Sequence, residues 1–348
     1  MKTNERNKSM SKDILVIYHK ADFDGIFCRE IAWRRFGVVA EYIGWDYGDA
    51  VPVIQPSARL YMLDISVEGL MDHPNLVWID HHNSAMEKFD PRIAGLRIDG
   101  VAACRLAWQF FFAEEYFKPG FNQRWPTKQD FVDRNVKEPQ AVRLAGEYDV
   151  WDKRDPDAEV FQFGLRSTEL TKSQWEWLFI GDTGPNGAVP HRHNSLVIEL
   201  LYDGKRLQKY QRAQDAEIVK ERSFTVTFDG LTFLALNTAR CNSLTFTVAI
   251  KPEHDALLGY WFNGTRWKVS LYHAPGKEQH DLSSIAKRCG GGGHRGACGF
   301  IAQHLLIVEG KMYCLDDLGN PLPVYTARWK PNWPANLPFC GKVERQDR

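Results

Sequence analysis

Three short runs of consecutive apolar residues recur early in the chain, and each breaks off into acidic or histidine residues. Ile14-Leu15-Val16-Ile17-Tyr18 leads into His19, Asp22, Asp24 and Gly25; Leu60-Tyr61-Met62-Leu63 leads into Asp64; Leu76-Val77-Trp78-Ile79 leads into Asp80, His81 and His82. Short apolar runs without polar alternation predict strands buried on both faces, the condition of a parallel sheet covered by helices. In such sheets ligands sit beyond the carboxyl ends of the strands, where these polar residues fall. Helices are expected over 26–36, 100–116 and 140–145, the last leading into Gly146-Glu147-Tyr148-Asp149-Val150-Trp151-Asp152.

The pattern changes in the second half. A charged amphipathic helix is expected over 195–222, long enough to join two domains. TVTF, LTFLAL, FTVAI and WKVSLYH then read as strands, followed by a helix over 281–288 and the glycine run GGGGHRGACGF. The fold class expected is therefore α/β: a parallel-sheet domain over 12–194, a linker helix over 195–222, and a smaller α/β domain over 223–308. Residues 1–11 read as a polar leader, 117–130 and the Gly/Pro-rich 181–194 as irregular, and 309–348 as an extension without assignable chemistry.

Composition narrows the function. Lys plus Arg and Asp plus Glu both number 44, and a chain with no net charge is poorly suited to gripping long duplex nucleic acid through many phosphates. It favours a small or short anionic substrate held at a few points. The 13% of aromatic residues is mostly core, with some rings able to stack on bases. Seven scattered cysteines without a CxxC pair fit neither a zinc ribbon nor a disulfide framework. With no apolar leader or membrane-length apolar run, a cytoplasmic protein is expected.

Asp22, Asp24, Asp64 and His81 combine hard oxygen with borderline nitrogen donors, a set suited to Mn²⁺ first and Mg²⁺ second. Two such ions, bridged by a carboxylate, can clamp both the attacking and leaving oxygens of a phosphoryl displacement. Taken singly, an Asp after a strand is as readily a helix N-cap, and a lone His a satisfied structural residue. Their joint occurrence after three apolar strands points to a site. The four glycines Gly290–Gly293 before His294 and Arg295 read either as a flexible loop or as a backbone anion nest.

The segments HKADFDG, MLDIS, IDHH and EYDVWD, with GGGGHRGACGF far downstream, resemble the DHH phosphoesterases over roughly residues 13–303. The pairing of IDHH with GGGGH resembles the branch carrying a DHH-associated C-terminal domain, to which RecJ-like nucleases and nanoRNases belong. Manganese-dependent pyrophosphatases share the first domain but carry a different second one. The resemblance implies that His19 and Asp22 hold one ion, that Asp24, His81 and Asp149 hold the other, and that Asp64 bridges them. It makes His82 the donor to the scissile phosphate, with Asp80 orienting a histidine ring. Asp152 is the alternative to Asp149, and His19 depends on the spacing of its loop. Gly291, Gly292, Gly293, His294 and Arg295 would grip the substrate's far end. Tyr272 stands where relatives commonly carry an arginine, and Arg240, Lys268 or Arg295 could replace that cation.

These features imply an oligoribonuclease-type hydrolase that acts on short RNA oligonucleotides or linear dinucleotides and yields 5′-mononucleotides. Two alternatives use the same site: a 3′-phosphoadenosine 5′-phosphate phosphatase and a cyclic-dinucleotide phosphodiesterase. A nucleotide-binding regulator without turnover is the non-enzymatic alternative. No membrane partner is expected, and a homodimer is compatible with the sequence.

Overall fold

The computed structural model describes residues 12–112, 125–180, 182–183 and 194–315. The leader 1–11, most of the two irregular segments, and the chain beyond 315 lie outside the described residues. The chain divides into two compact units, Met1–Lys209 and Tyr210–Arg348, with the boundary inside one long helix.

In the first unit, β1 (Ile14–His19), α1 (Phe23–Phe36), β2 (Ala40–Trp45), β3 (Arg59–Leu63) and β4 (Leu76–Ile79) follow one another. They form an all-parallel sheet of order β2-β1-β3-β4. Both of its faces are buried, as the apolar runs require. Val16, Tyr61, Leu63, Val77 and Ile79 point to one core, while Leu15, Ile17, Leu60, Met62, Leu76 and Trp78 point to the other. The first core is closed by α1, α3 (Ala103–Phe112) and α5 (Gln140–Asp149). The second is closed in part by α2 (Asn83–Lys88) and the segment around Val67 and Met71. The short elements α4 (Lys128–Val132), β5 (Glu138–Pro139), α6 (Pro156–Arg166), α7 (Lys172–Leu178) and β6 (Asp182–Thr183) complete this unit.

The strand register fixes the site. Tyr18 pairs with Leu63, and Leu63 with Ile79, so the next residues, His19, Asp64 and Asp80, emerge side by side at the sheet's carboxyl edge.

Helix α8 (Ser195–Arg222) has the bounds expected from the sequence. The second unit is built on β7 (Ser223–Phe228), β8 (Leu231–Asn237), β9 (Ala256–Phe262), β10 (Trp267–His273), α9 (Leu282–Arg288), β11 (Gly292–His294), β12 (Ala297–Ala302), β13 (His304–Val308) and β14 (Lys311–Leu315). Its mixed sheet runs β11-β12-β10-β9-β8-β7-β14-β13. One face packs with Leu282, Ile285 and Ala286 of α9; the other packs with Val219 of α8.

Four expectations need correction. A fourth strand, β2, lies at the edge of the first sheet; its polar Glu41 and its Gly44 break the apolar signature. FTVAI is not a strand. Asn242 caps Leu244 and Thr245 and winds Ser243–Phe246 into a short 3-10 turn. The helix expected over 140–145 extends to Asp149. The boundary expected at 308 falls between two paired strands, since Met312 and Cys314 of β14 are buried in the second unit's core. Among the described residues no helix is long and apolar enough to cross a membrane.

Candidate metal centre

Asp22 and Asp24 sit at the start of α1 in different ways. Asp22 is the helix N-cap: its Oδ1 accepts from the Gly25 N–H at 3.0 Å. The same side chain turns Oδ2 to within 2.8 Å of His19 Nδ1, so the capping role and the site role coexist in one carboxylate. Asp24 is buried in the first turn. Its two oxygens accept from the Ala103 and Cys104 N–H groups, each at 2.7 Å, at the N-terminus of α3. Those helix-end donors hold a buried carboxylate in place without neutralising it with a cation.

Asp64 follows β3 in the left-handed region, with φ of 60°. An aspartate tolerates that conformation better than most residues, and it is held there by a hydrogen bond from its N–H to the Ile79 carbonyl. Oδ2 lies 3.4 Å from His19 Nδ1 and Oδ1 lies 3.4 Å from His81 Nε2. Both oxygens are buried, yet neither has a hydrogen-bond partner; His19 Nδ1 is likewise without one, its neighbours being close but out of line. Buried polar atoms are nearly always satisfied, so such orphans mark a place where another ligand belongs.

His81 Nε2 lies 3.4 Å from Asp149 Oδ2 and 3.6 Å from Asp24 Oδ2. Asp149, the last residue of α5, reaches this point because the chain then turns back. Trp151 takes a φ of 56°, and the Asp152 N–H closes onto the Glu147 carbonyl. Beneath it Glu147 is held by Arg134 and Arg143. The Asp152 side chain instead engages Arg154.

Two trios thus each bring their ligand atoms together, His19 with Asp22 and Asp64, and Asp24 with His81 and Asp149; a third overlapping trio joins Asp64, His81 and His82. The donor set of carboxylates and imidazoles fits divalent ions of the Mn²⁺ or Mg²⁺ kind. The protonation energetics agree. Burial, then the charge of Asp24, pushes the carboxyls of Asp64 and Asp149 well above the usual range. Burial works against a charged His19, but the close carboxylates of Asp22 and Asp64 raise it to about 11.

Asp80 lies behind His82. Its Oδ1 accepts from the N–H groups of His81 and His82 and faces His82 Nδ1 at 2.7 Å, while Oδ2 accepts from Trp78 Nε1. Burial lowers the imidazole pKa and is outweighed by the Asp80 hydrogen bond and charge, so His82 is raised above its ordinary value. Arg97 lies over the Trp78 ring at 4.8 Å and backs this arrangement.

In the second unit the glycine run forms β11 and its approach. Gly293 has φ of 126°, and a Cβ there would lie 2.7 Å from Cys298 Cα; a Cβ on Gly291 would lie 2.1 Å from the Gly299 carbonyl oxygen. Backbone thus passes against backbone where side chains cannot fit. His294 and Arg295 are exposed at the turn, with Arg295 donating to the Gln279 carbonyl. Tyr272 donates its hydroxyl to the Cys241 carbonyl, and burial pushes its pKa up to about 12. Arg240 and Lys268 are both exposed.

Sequence reasoning missed Asp46, whose Oδ1 lies 3.5 Å from His19 Nε2, and Tyr47, whose ring stands edge-on to the His19 ring at 6.4 Å. The only sequence signal is a polar loop following the unrecognised strand β2. It also missed the N-terminus of α3 as the support for Asp24, a contact 79 residues away in the chain.

No protein-family model matches the chain, and comparison with curated protein sequences finds no match. Among solved structures it is similar to a pGpG-specific phosphodiesterase from Vibrio cholerae, at 13% identity, 83% of this chain, 92% of that one and a TM-score of 0.45. It is also similar to a DHH domain described as a member of the s1p family of ribosomal proteins, at 14% identity, 83% and 82% coverage and a TM-score of 0.47. RecJ from Thermus thermophilus, solved with Mn²⁺, is similar at 12% identity over 82% of this chain and 49% of that one, with a TM-score of 0.39. Its structural neighbours thus include DHH-domain proteins, the group that its strand-end motifs resemble.

Proposed function

We propose that this chain is a DHH-family, two-metal phosphodiesterase that hydrolyses short oligoribonucleotides or linear dinucleotides to 5′-mononucleotides. One observation carries the reading: Asp64 groups with His19 and Asp22 on one side and with His81 and His82 on the other, and both oxygens of that buried carboxylate lack a hydrogen-bond partner. His19, Asp22 and Asp64 would hold one ion, and Asp24, His81 and Asp149 the other, with Asp64 close to both sets. Mn²⁺ suits the imidazole-containing set, and divalent charge at this place would polarise a phosphate and acidify a water.

The chain's own groups do the rest. The α3 N-terminus aims Asp24, and the left-handed backbone at Asp64 turns its carboxylate across the sheet edge. Asp80 engages Nδ1 of His82, so delivery of a proton to a phosphate oxygen falls to Nε2. In the second unit the Gly291–Gly293 backbone, His294 and Arg295 bind the substrate's anionic end, with Arg295 supplying the cation absent at Tyr272. The cysteines among the described residues are free, in keeping with a reducing, cytoplasmic setting.

The test is a length profile. Protein loaded with Mn²⁺ is incubated with labelled di- to pentaribonucleotides, and mononucleotide release falling off with length is expected. Intact substrates with Mn²⁺, Mg²⁺ and Co²⁺ alike would overturn the proposal. Turnover of 3′-phosphoadenosine 5′-phosphate or of cyclic di-AMP in preference to pApA would move the assignment to those substrates.

A further inference from the structure

The imidazole of His19 lies between carboxylates on both sides. Nδ1 faces Asp22 at 2.8 Å and Asp64 at 3.4 Å, toward the candidate ions. Nε2 faces Asp46 Oδ1 at 3.5 Å, on the opposite side of the ring. A neutral imidazole has one donor and one acceptor nitrogen, so a carboxylate on one side determines which nitrogen can offer a lone pair on the other.

The loop carrying Asp46 is tied to the strand that carries His19. The Lys20 N–H donates to the Trp45 carbonyl, and Lys20 Nζ bonds Asp49 Oδ2 at 2.5 Å. That same Asp49 oxygen accepts from the Asp46 N–H at 3.0 Å. Asp46 Oδ1 accepts from the Tyr47 N–H at 2.7 Å, which fixes its rotation, and Trp45 Nε1 donates to the Ala50 carbonyl across the loop's base. Tyr47 closes the remaining side of the His19 ring with its edge.

We propose that Asp46 is the positioning residue for His19: its Oδ1 accepts from Nε2–H, holds the ring in the tautomer with a bare Nδ1, and so completes the ion site shared with Asp22 and Asp64. The inference rests on the metal reading of that site. Carboxylate–imidazole–metal arrangements of this kind are worth about 10–100-fold in metal affinity. Asp46 stands on an exposed loop, so its removal leaves the folded core untouched.

Three proteins, wild type, Asp46→Ala and Asp46→Asn, are titrated with Mn²⁺ by calorimetry, alongside Asp64→Asn. The imidazole tautomer of His19 is read by ¹⁵N NMR in the Mg²⁺-loaded state. Asp46→Ala should weaken one of two binding events about tenfold or more and lose the single-tautomer signature. Asp46→Asn, whose carbonyl still accepts the Nε2 proton, should restore most of both. Wild-type affinity and an unchanged tautomer in Asp46→Ala, with binding lost in Asp64→Asn, would overturn the positioning role alone. A wild-type protein that binds no divalent ion would overturn the metal reading and this inference with it.

Discussion

The two units bury their polar groups differently. In the first, Asp24, Glu30, Asp64, Asp80, His81, Arg105, Glu138, Arg143 and Glu147 are all buried, and most serve or surround the sheet's carboxyl edge. In the second, the buried polar residues among those described are Thr245, His254 and Ser283, which carry no carboxylate or guanidinium, and the candidate binding groups His294 and Arg295 stand exposed. Buried charge costs several kcal/mol per ion unless it is compensated. Glu138 and Glu147 meet that requirement with arginines. Among the described residues no lysine or arginine pairs with Asp64 or Asp149, which lie instead where the ions would be. The first unit therefore holds conformational energy in reserve for a ligand, whereas the second is stabilised mainly by its apolar sheet and helix.

This contrast can be broken most sharply at Asp64. Replacing Asp64 with Asn keeps a residue that tolerates a positive φ but removes the shared charge; activity should fall about 10³-fold. The metal-free variant should nevertheless melt higher than wild type, by at least about 2 °C. A variant that melts lower would mean that the charge is compensated within the fold.

The next effect concerns pH. With Asp64 and Asp149 raised, the metal-free fold keeps protons that the unfolded chain has released, so stability declines as pH rises from the ordinary carboxylate range. The raised His19 and His82 act in the same direction above pH about 6.5, while Asp22 and Asp80, held low, are already ionised. At the proposed site Mn²⁺ would replace those protons, so its stabilisation should grow between pH 5 and 8, roughly. Thermal unfolding with Mn²⁺ and with EDTA across that range measures it; a constant difference would refute the account.

In the second unit, Gly293→Ala forces a side chain onto a backbone with φ of 126° and should destabilise that unit by about 1–3 kcal/mol. Calorimetric Mn²⁺ stoichiometry should be unchanged, since the proposed ligands all belong to the first unit. The smallest effect is expected for Asp152→Asn. Its side chain serves a partly exposed pair with Arg154, so stability should change by less than about 0.5 kcal/mol and kcat by less than about twofold. A large loss of activity there would make Asp152 a member of the site.

The strands that carry the site were legible because a strand buried on both faces leaves little choice but an uninterrupted apolar run. The residues that end those runs, from His19 to His82, could be placed at one sheet edge from their order alone. β2 escaped because an edge strand is free to alternate, and Glu41 and Gly44 look like a loop. Phe246–Ile250 deceived for the opposite reason: β-branched and aromatic residues wind into a turn once Asn242 caps them. The second layer of the site was illegible on principle. Asp24 meeting α3, or Asp46 meeting His19, is a tertiary contact with no local periodicity to announce it.

The left-handed backbone at Asp64 also bears on how such a chain can change over generations. Position 64 passes two separate filters, one of shape and one of charge, and asparagine passes the first while failing only the second. A lineage that no longer needs catalysis can therefore drift to asparagine at this position without a folding penalty, and would even become more robust. Loss of chemistry would run ahead of loss of architecture, leaving descendants that keep the fold as binding proteins. On the proposed reading, an aspartate at this position serves the ions, since the backbone would accept asparagine equally well.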